Sequence, residues 1–295
     1  ERWLRASAEG GFAYAQVLLG NLLVTGRLSK DEPVRLQKPT RGAPGLVDVE
    51  PVPGTSPVEQ RRREAEGLAW FEKAAEGGQA DAWYNLALIY FEGSIVPADT
   101  QKGMECVQKA AELGDSDALY LLGTHRIEDP ATQEEGRKML VEAADKGHAL
   151  ASYFVAMLLL QEGDTDGMRP RLERAAALGC AEANFCLGDM HYHGTDGYEV
   201  HYPRSLLFFA AAARARHSEA LCSLGAMLYN GLGTKRNLYK AFSAYQLAAE
   251  MGSIPAMRNL ASMHANGEAC ERDEKKAKYL IGVAQKAEDE LQAAA

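Results

Sequence analysis

Seven positions along the chain, Gly11, Gly78, Gly114, Gly147, Gly179, Arg216 and Gly252, are each followed by the same kinds of side chain at the same distances. Four residues on stands an alanine every time, from Ala15 to Ala256. Eight on stands Leu19, Leu86, Leu122, Val155, Leu187, Leu224 or Leu260, and nine on a glycine or alanine. Apolar side chains four residues apart share one face of an α-helix, because each residue advances about 100°. A first helix is therefore predicted after each marker, and its small ninth residue lets a second helix come close. Fifteen on, a glycine stops the helix in five of the seven repeats, with Asp129 and Glu162 as the exceptions. Each marker in turn closes a second amphipathic stretch, such as "MECVQKAAELG" or "FSAYQLAAEMG". That stretch predicts a second helix whose final glycine takes the left-handed cap.

The fullest copies are "ADAWYNLALIYFEG" (Ala80 to Gly93), with its second helix running to Gly114, and "EALCSLGAMLYNGLGTKRNLYKAFSAYQLAAEMG" (Glu219 to Gly252). The order A-x3-L-G-x2-[YHL]-x2-G, a variable loop, then W-x2-KAAE-x-G resembles the Sel-one-like repeat, a longer-looped relative of the tetratricopeptide repeat. The resemblance covers nearly the whole chain. It implies an all-α, right-handed superhelical solenoid of antiparallel helix pairs, about seven in number and roughly 60 Å long if each pair advances the width of a helix layer. It also implies an adaptor in a multiprotein assembly rather than an enzyme. Two repeats depart from the pattern. Arg126 stands where an aromatic is usual, and "AAARAR" (Ala211 to Arg216) lacks the closing glycine. Both are expected to pack or turn less regularly.

The first interval, Gly11 to Gly78, is about 31 residues too long. The excess lies between Ser29 and Arg63, where Pro33, Pro39, Pro44, Pro51, Pro53 and Pro57 argue against helix. The expected organisation is thus residues 1–28 as the first helices, starting mid-repeat; 29–63 as a Pro-rich insert; and 64–295 as the remaining repeats with a polar C-terminal cap. The insert carries seven basic and five acidic residues. It reads as a solvated loop or as an arm that drapes over a partner. "ERWLRASAEGG" reads as a second helix without its first, so further chain or a partner is expected against it.

Composition removes several classes of function. A formal net charge of −9 is opposite in sign to what phosphate binding needs, so nucleic acid is not expected as main partner. The longest apolar run, Ala149 to Leu160, is too short to span a bilayer. Five cysteines with no CxxC spacing give neither a zinc ribbon nor a disulfide framework. A reducing compartment follows, mitochondrial or cytosolic, with the endoplasmic reticulum disfavoured by the lack of any Asn-x-Ser/Thr sequon. The first residue is glutamate, which leaves room for a removed leader.

Two sets of residues are candidates for function. Tyr84, Tyr120, Tyr153 and Phe185, six past their markers, and Phe91, Tyr192 and Tyr229, thirteen past, recur on a sector of the first helix away from the core stripe. They either line a partner-binding groove or fill the seam between repeats. Asp81, Asp117, Glu182 and Glu219 stand in first turns, where acids suit the helix dipole. "DMHYHG" invites a metal reading, but His191 and His193 point about 200° apart on a helix and need His201 or another residue to fold back. Cys186 and Cys222 fall at nearby positions of adjacent repeats, and two separate buried thiols are expected there. No catalytic residue, cofactor or metal is expected. The function predicted is a non-catalytic scaffold or accessory subunit that binds proteins, through the insert and the uncapped N-terminal end among other surfaces. A quality-control adaptor of the endoplasmic reticulum and a metal-dependent enzyme at His191/His193 are the alternatives.

Overall fold

The computed structural model describes residues 1–25 and 56–294 of the chain, and among these every regular element is a helix. In chain order they are α1 (Arg2–Glu9), α2 (Ala13–Thr25), α3 (Pro57–Glu76), α4 (Ala80–Glu92), α5 (Thr100–Glu112), α6 (Ser116–Arg126), α7 (Gln133–Asp145) and α8 (Ala149–Gln161). There follow α9 (Thr165–Ala177), α10 (Ala181–His193), α11 (Tyr202–Arg214), α12 (Ser218–Asn230), α13 (Leu238–Glu250), α14 (Ile254–Asn266) and α15 (Glu274–Ala294). The chain forms two compact units, Glu1–His148 and Ala149–Ala295. The first holds α1 and the pairs α2/α3, α4/α5 and α6/α7; the second holds α8/α9, α10/α11, α12/α13 and α14/α15. Within each unit a helix packs most closely on its neighbours in sequence.

The repeat lanes become the cores. All seven alanines four past the markers are buried, as are six of the seven aliphatic side chains eight past, Leu224 being half-buried. The small residue at nine meets the second helix of its own pair at van der Waals limits. A Cβ on Gly20 would stand 2.9 Å from the Phe71 ring, one on Gly225 2.8 Å from Tyr245, and one on Gly188 2.6 Å from Phe209. The second helix answers with small residues of its own. A Cβ on Gly67 would lie 3.0 Å from the Gly20 carbonyl oxygen, and one on Gly136 2.8 Å from that of Gly123. At the corresponding position of α11, the buried Ser205 hydroxyl donates to the Gly188 carbonyl at 2.7 Å. In α2/α3 and α6/α7 the helices therefore touch backbone to backbone.

The closing turns are uniform, and they correct one expectation. The six marker glycines adopt φ between 83° and 92°, and Arg216 takes the same left-handed turn at φ 59°. Its amide donates to Ala213 and that of His217 to Ala212, as Gly114 and Asp115 donate to Ala111 and Ala110. The turn at Arg216 is thus regular although it lacks glycine, because the flanking helices fix its geometry. Arg126 is likewise integrated rather than disruptive. Its guanidinium donates to Gln108 at 3.0 Å and to Glu135, tying the end of α6 to α5 and α7.

A second correction concerns the insert. Residues 57–63, expected to be non-helical, form the first two turns of α3. Ser56 caps that helix by accepting from the Glu59 amide at 3.2 Å, and Pro57 sits in its first turn. Proline is barred from helix interiors by its missing N–H, but that donor is unused at a helix start. Residues 29–55 lie outside the described residues. The C-terminal helix is also less polar than its charges imply: Tyr279, Ile281 and Leu291 of α15 are all exposed.

These contacts predict opposite outcomes for two Gly→Ala changes. Gly136→Ala drives a methyl against backbone atoms of α6 and is expected to lower the unfolding free energy by about 1–2 kcal/mol despite alanine's better helix propensity. Gly282→Ala on α15 meets nothing within 4 Å and should raise it by about 0.5–1 kcal/mol. Arg216→Gly, which removes the left-handed strain, is also expected to stabilise, by about 0.5–1 kcal/mol. Urea titrations followed by circular dichroism check all three.

Candidate functional site

The recurring aromatic residues hold helices together, and none of the seven is among the exposed side chains. In the first unit Tyr84 is buried and Phe91 occupies the space a side chain at Gly103 would need. Tyr120 stacks on His148 with ring centroids 4.5 Å apart. In the second unit the Cys186 thiol reaches the Tyr153 hydroxyl at 3.8 Å, linking α10 to α8. Phe185 stacks on His217 at 4.7 Å, so α10 meets the start of α12. Tyr192 meets Tyr202 edge-on at 5.5 Å. The Tyr229 hydroxyl donates to the Glu268 carboxylate at 2.9 Å, while the Arg236 guanidinium lies 5.2 Å from its ring. Burial raises Tyr153 well above the ordinary phenol value. This geometry is that of seam filling.

Among the acids of the first turns, Asp117 does more than answer the dipole. It accepts from His148 Nε2 at 2.8 Å, with both side chains about 4% exposed. Next to it Asp115 caps α6 by accepting from the amides of Asp117 and Ala118. Sequence periodicity missed this pair because His148 follows a marker directly, in a turn where no helical face constrains it.

The histidines of "DMHYHG" serve separate ends. His191 is buried, with Nδ1 3.4 Å from the Glu199 carbonyl oxygen and its ring parallel to Phe208 at 5.6 Å. His193 is exposed and pairs with Asp189 one turn back at 3.4 Å. His201 accepts from the Arg204 amide at 3.1 Å, capping α11. Among the described residues no group of three His, Cys, Asp or Glu is placed to hold a metal ion. All five cysteines are free. Cys186 faces Tyr153, whereas Cys222 accepts from Asn259, and burial pushes Cys180 up to about 12. Thiols so raised are poor nucleophiles.

Burial also lowers His191 and His264 below the ordinary value of 6.5. In the unfolded chain both take up a proton at higher pH than in the fold, so their contribution is complete above pH 6.5 and fades as pH falls below it. The urea midpoint is expected to drop between pH 7.5 and pH 5.5, and to drop less in His191→Gln.

Known proteins agree with this architecture. The Sel1 repeat profile matches residues 61–79, 80–115, 181–217, 218–253 and 254–281, more than half of the chain. The stretch between those matches, 116–180, contains Arg126, Asp129 and Glu162, yet folds into the pairs α6/α7 and α8/α9 plus the turn after them. Among curated proteins, DAP3-binding cell death enhancer 1 of Mus musculus is 29% identical over 201 residues, covering 66% of this chain and 32% of its own length. The chain thus spans about a third of that relative's length. Among solved structures, a Sel1 repeat protein from Oxalobacter formigenes covers the whole chain and 80% of its own, at 24% identity and a TM-score of 0.62. The Escherichia coli antigen c5321, described as displaying an SLR fold, covers 96% of this chain and 71% of its own, at 19% identity and a TM-score of 0.52. On the lanes, the turns and the five profile matches, the chain belongs to the Sel1 repeat family.

Proposed function

We propose that this protein is a non-catalytic scaffold, or an accessory subunit of a larger complex, whose product is surface for other proteins. Sel1 repeat proteins generally mediate protein–protein interaction, and stacked repeats present extended binding faces. The observation that carries the reading is how the polar and aromatic side chains are used. Those with chemical potential, His148 with Asp117, His191, and Tyr153 with Cys186, are engaged in holding helix to helix. The mouse relative is named for binding DAP3, and a partner protein of that kind suits this chain.

Several surfaces are proposed for contact. The half-buried edges of Phe91 and Tyr120 are proposed for contact in the first unit, and those of Tyr153, Phe185, Tyr192 and Tyr229 in the second. Tyr84 is too enclosed to share in it. At the N-terminal end Trp3 is 90% exposed, Phe12 68% and Tyr14 55%, which supports docking there. The Pro-rich segment is proposed as a further arm. Five free thiols support a reducing compartment, mitochondrial or cytosolic. Among the described residues no helix is long and apolar enough to cross a membrane.

Affinity purification of the tagged full chain from its own cells, followed by quantitative mass spectrometry, tests the reading. One or a few proteins in near-stoichiometric amount are expected. Recovery of the chain alone at native abundance would overturn it.

A further inference from the structure

The outward lane of the second helices changes character along the chain. Thirteen, nine and five residues before the closing turn, α5 carries Gln101, Glu105 and Lys109, and α7 carries Glu134, Lys138 and Glu142. All six are exposed, as a solvated face requires. On α13 the same lane reads Tyr239, Ser243 and Leu247; on α15 it reads Lys275, Tyr279 and Val283. Tyr239 is 75% exposed, Tyr279 69% and Leu247 46%. Large apolar side chains thus stand in water on this lane of α13 and α15, as Leu207 does on α11, where α5 and α7 place charge.

Between α13 and α15 lies a groove of about 350 Å³. Its walls are Phe242 and Ala249 from α13 and Leu280 and Val283 from α15, over a floor of Met257, Leu260 and His264 from α14. His264 is 5% exposed; its Nδ1 lies 3.4 Å from the Cys270 thiol, and its buried Nε2 has no hydrogen-bond partner. The ends of the groove differ in charge. Lys276 stands in the first turn of α15, at the end where α13 and α15 begin, and Glu250 closes α13 at the other. The 36-residue repeat puts Lys276 level with Lys240, ten residues before Glu250. At 1.5 Å per residue the two ends are about 15 Å apart, or some three helical turns.

We propose that this groove docks an amphipathic α-helix of a partner protein, lying antiparallel to α13 and α15. The inference rests on the scaffold reading and names one of its surfaces. An apolar stripe at i, i+3, i+4 and i+7 fills a slot of this length. The antiparallel direction follows from charge. Of the charged side chains that line the groove, Lys276 stands at the end where the helices start and Glu250 at the other, so an incoming helix matches both when its negative C-terminal end meets Lys276.

The test uses the full chain and a fluorescein-labelled 14-residue amphipathic peptide with leucines at helical spacing, lysines in the first turn and glutamates in the last. Fluorescence anisotropy should show saturable binding, weakened at least tenfold by the combined substitutions Tyr279→Asp and Val283→Asp on the groove wall. A peptide with its charges exchanged should bind more weakly, and the double variant Glu250→Lys with Lys276→Glu should invert that preference. Absence of binding, indifference to the aspartates or to charge order, or equal binding of a proline-broken peptide would overturn the proposal. So would self-association in sedimentation velocity that Tyr279→Asp abolishes, since the groove would then belong to a second copy. None of these outcomes changes which proteins co-purify with the chain, so the scaffold reading stands or falls separately.

Discussion

Backbone-to-backbone approach within a helix pair is the constraint from which the rest follows. Where Gly20 faces Gly67 and Gly123 faces Gly136, neither member can carry a side chain without meeting a carbonyl oxygen at about 3 Å. The contact sets the spacing of the two axes. It leaves room beside it for one large side chain per pair, Phe71, Leu140, Phe209 or Tyr245, to lock into the other helix. Dispersion between atoms at this range is individually small and collectively large, and it is lost steeply with separation. Alanines four past each marker then seal the pair from its neighbour.

With the cores so defined, polar groups are left to organise the seams. His148 and Asp117 pair inside the first unit with almost no exposure, an arrangement whose value depends on both members being present. In the second unit the ring of Phe185 lies on His217, which itself accepts from the Ala220 amide and so caps α12. One side chain thereby fixes a helix start and a contact between pairs. Side chains of this kind resemble catalytic residues in a sequence. In this fold they cap helices and join one helix to the next.

How much of this was legible depends on whether a feature follows a period. The lanes at four, eight and nine, and the left-handed glycines, repeat every 32 to 37 residues from Gly78 onward and are legible directly. So are the opposed directions of His191 and His193. The turn at Arg216 does not follow from residue type, because the flanking helices impose φ 59° on arginine. The start of α3 is hidden by Pro57, a helix breaker in composition but a first-turn residue once Ser56 caps the helix before it. The small residues of the second helices, Gly67, Gly103, Gly136 and Ser205, share a register that a search confined to the first helices does not meet. The Asp117–His148 pair has no periodic signature at all.

The order of packing also bears on how the chain reaches its fold. Because each helix meets chiefly its neighbours in sequence, relative contact order is low and structure can nucleate at several pairs and spread. One pair stands apart. Seven residues connect α4 to α5, but 31 separate α2 from α3. Closing the longer segment costs about 1.3 kcal/mol more in chain entropy by the logarithmic rule. The α2/α3 pair is therefore the one that gains most from waiting for α4 to form beside it.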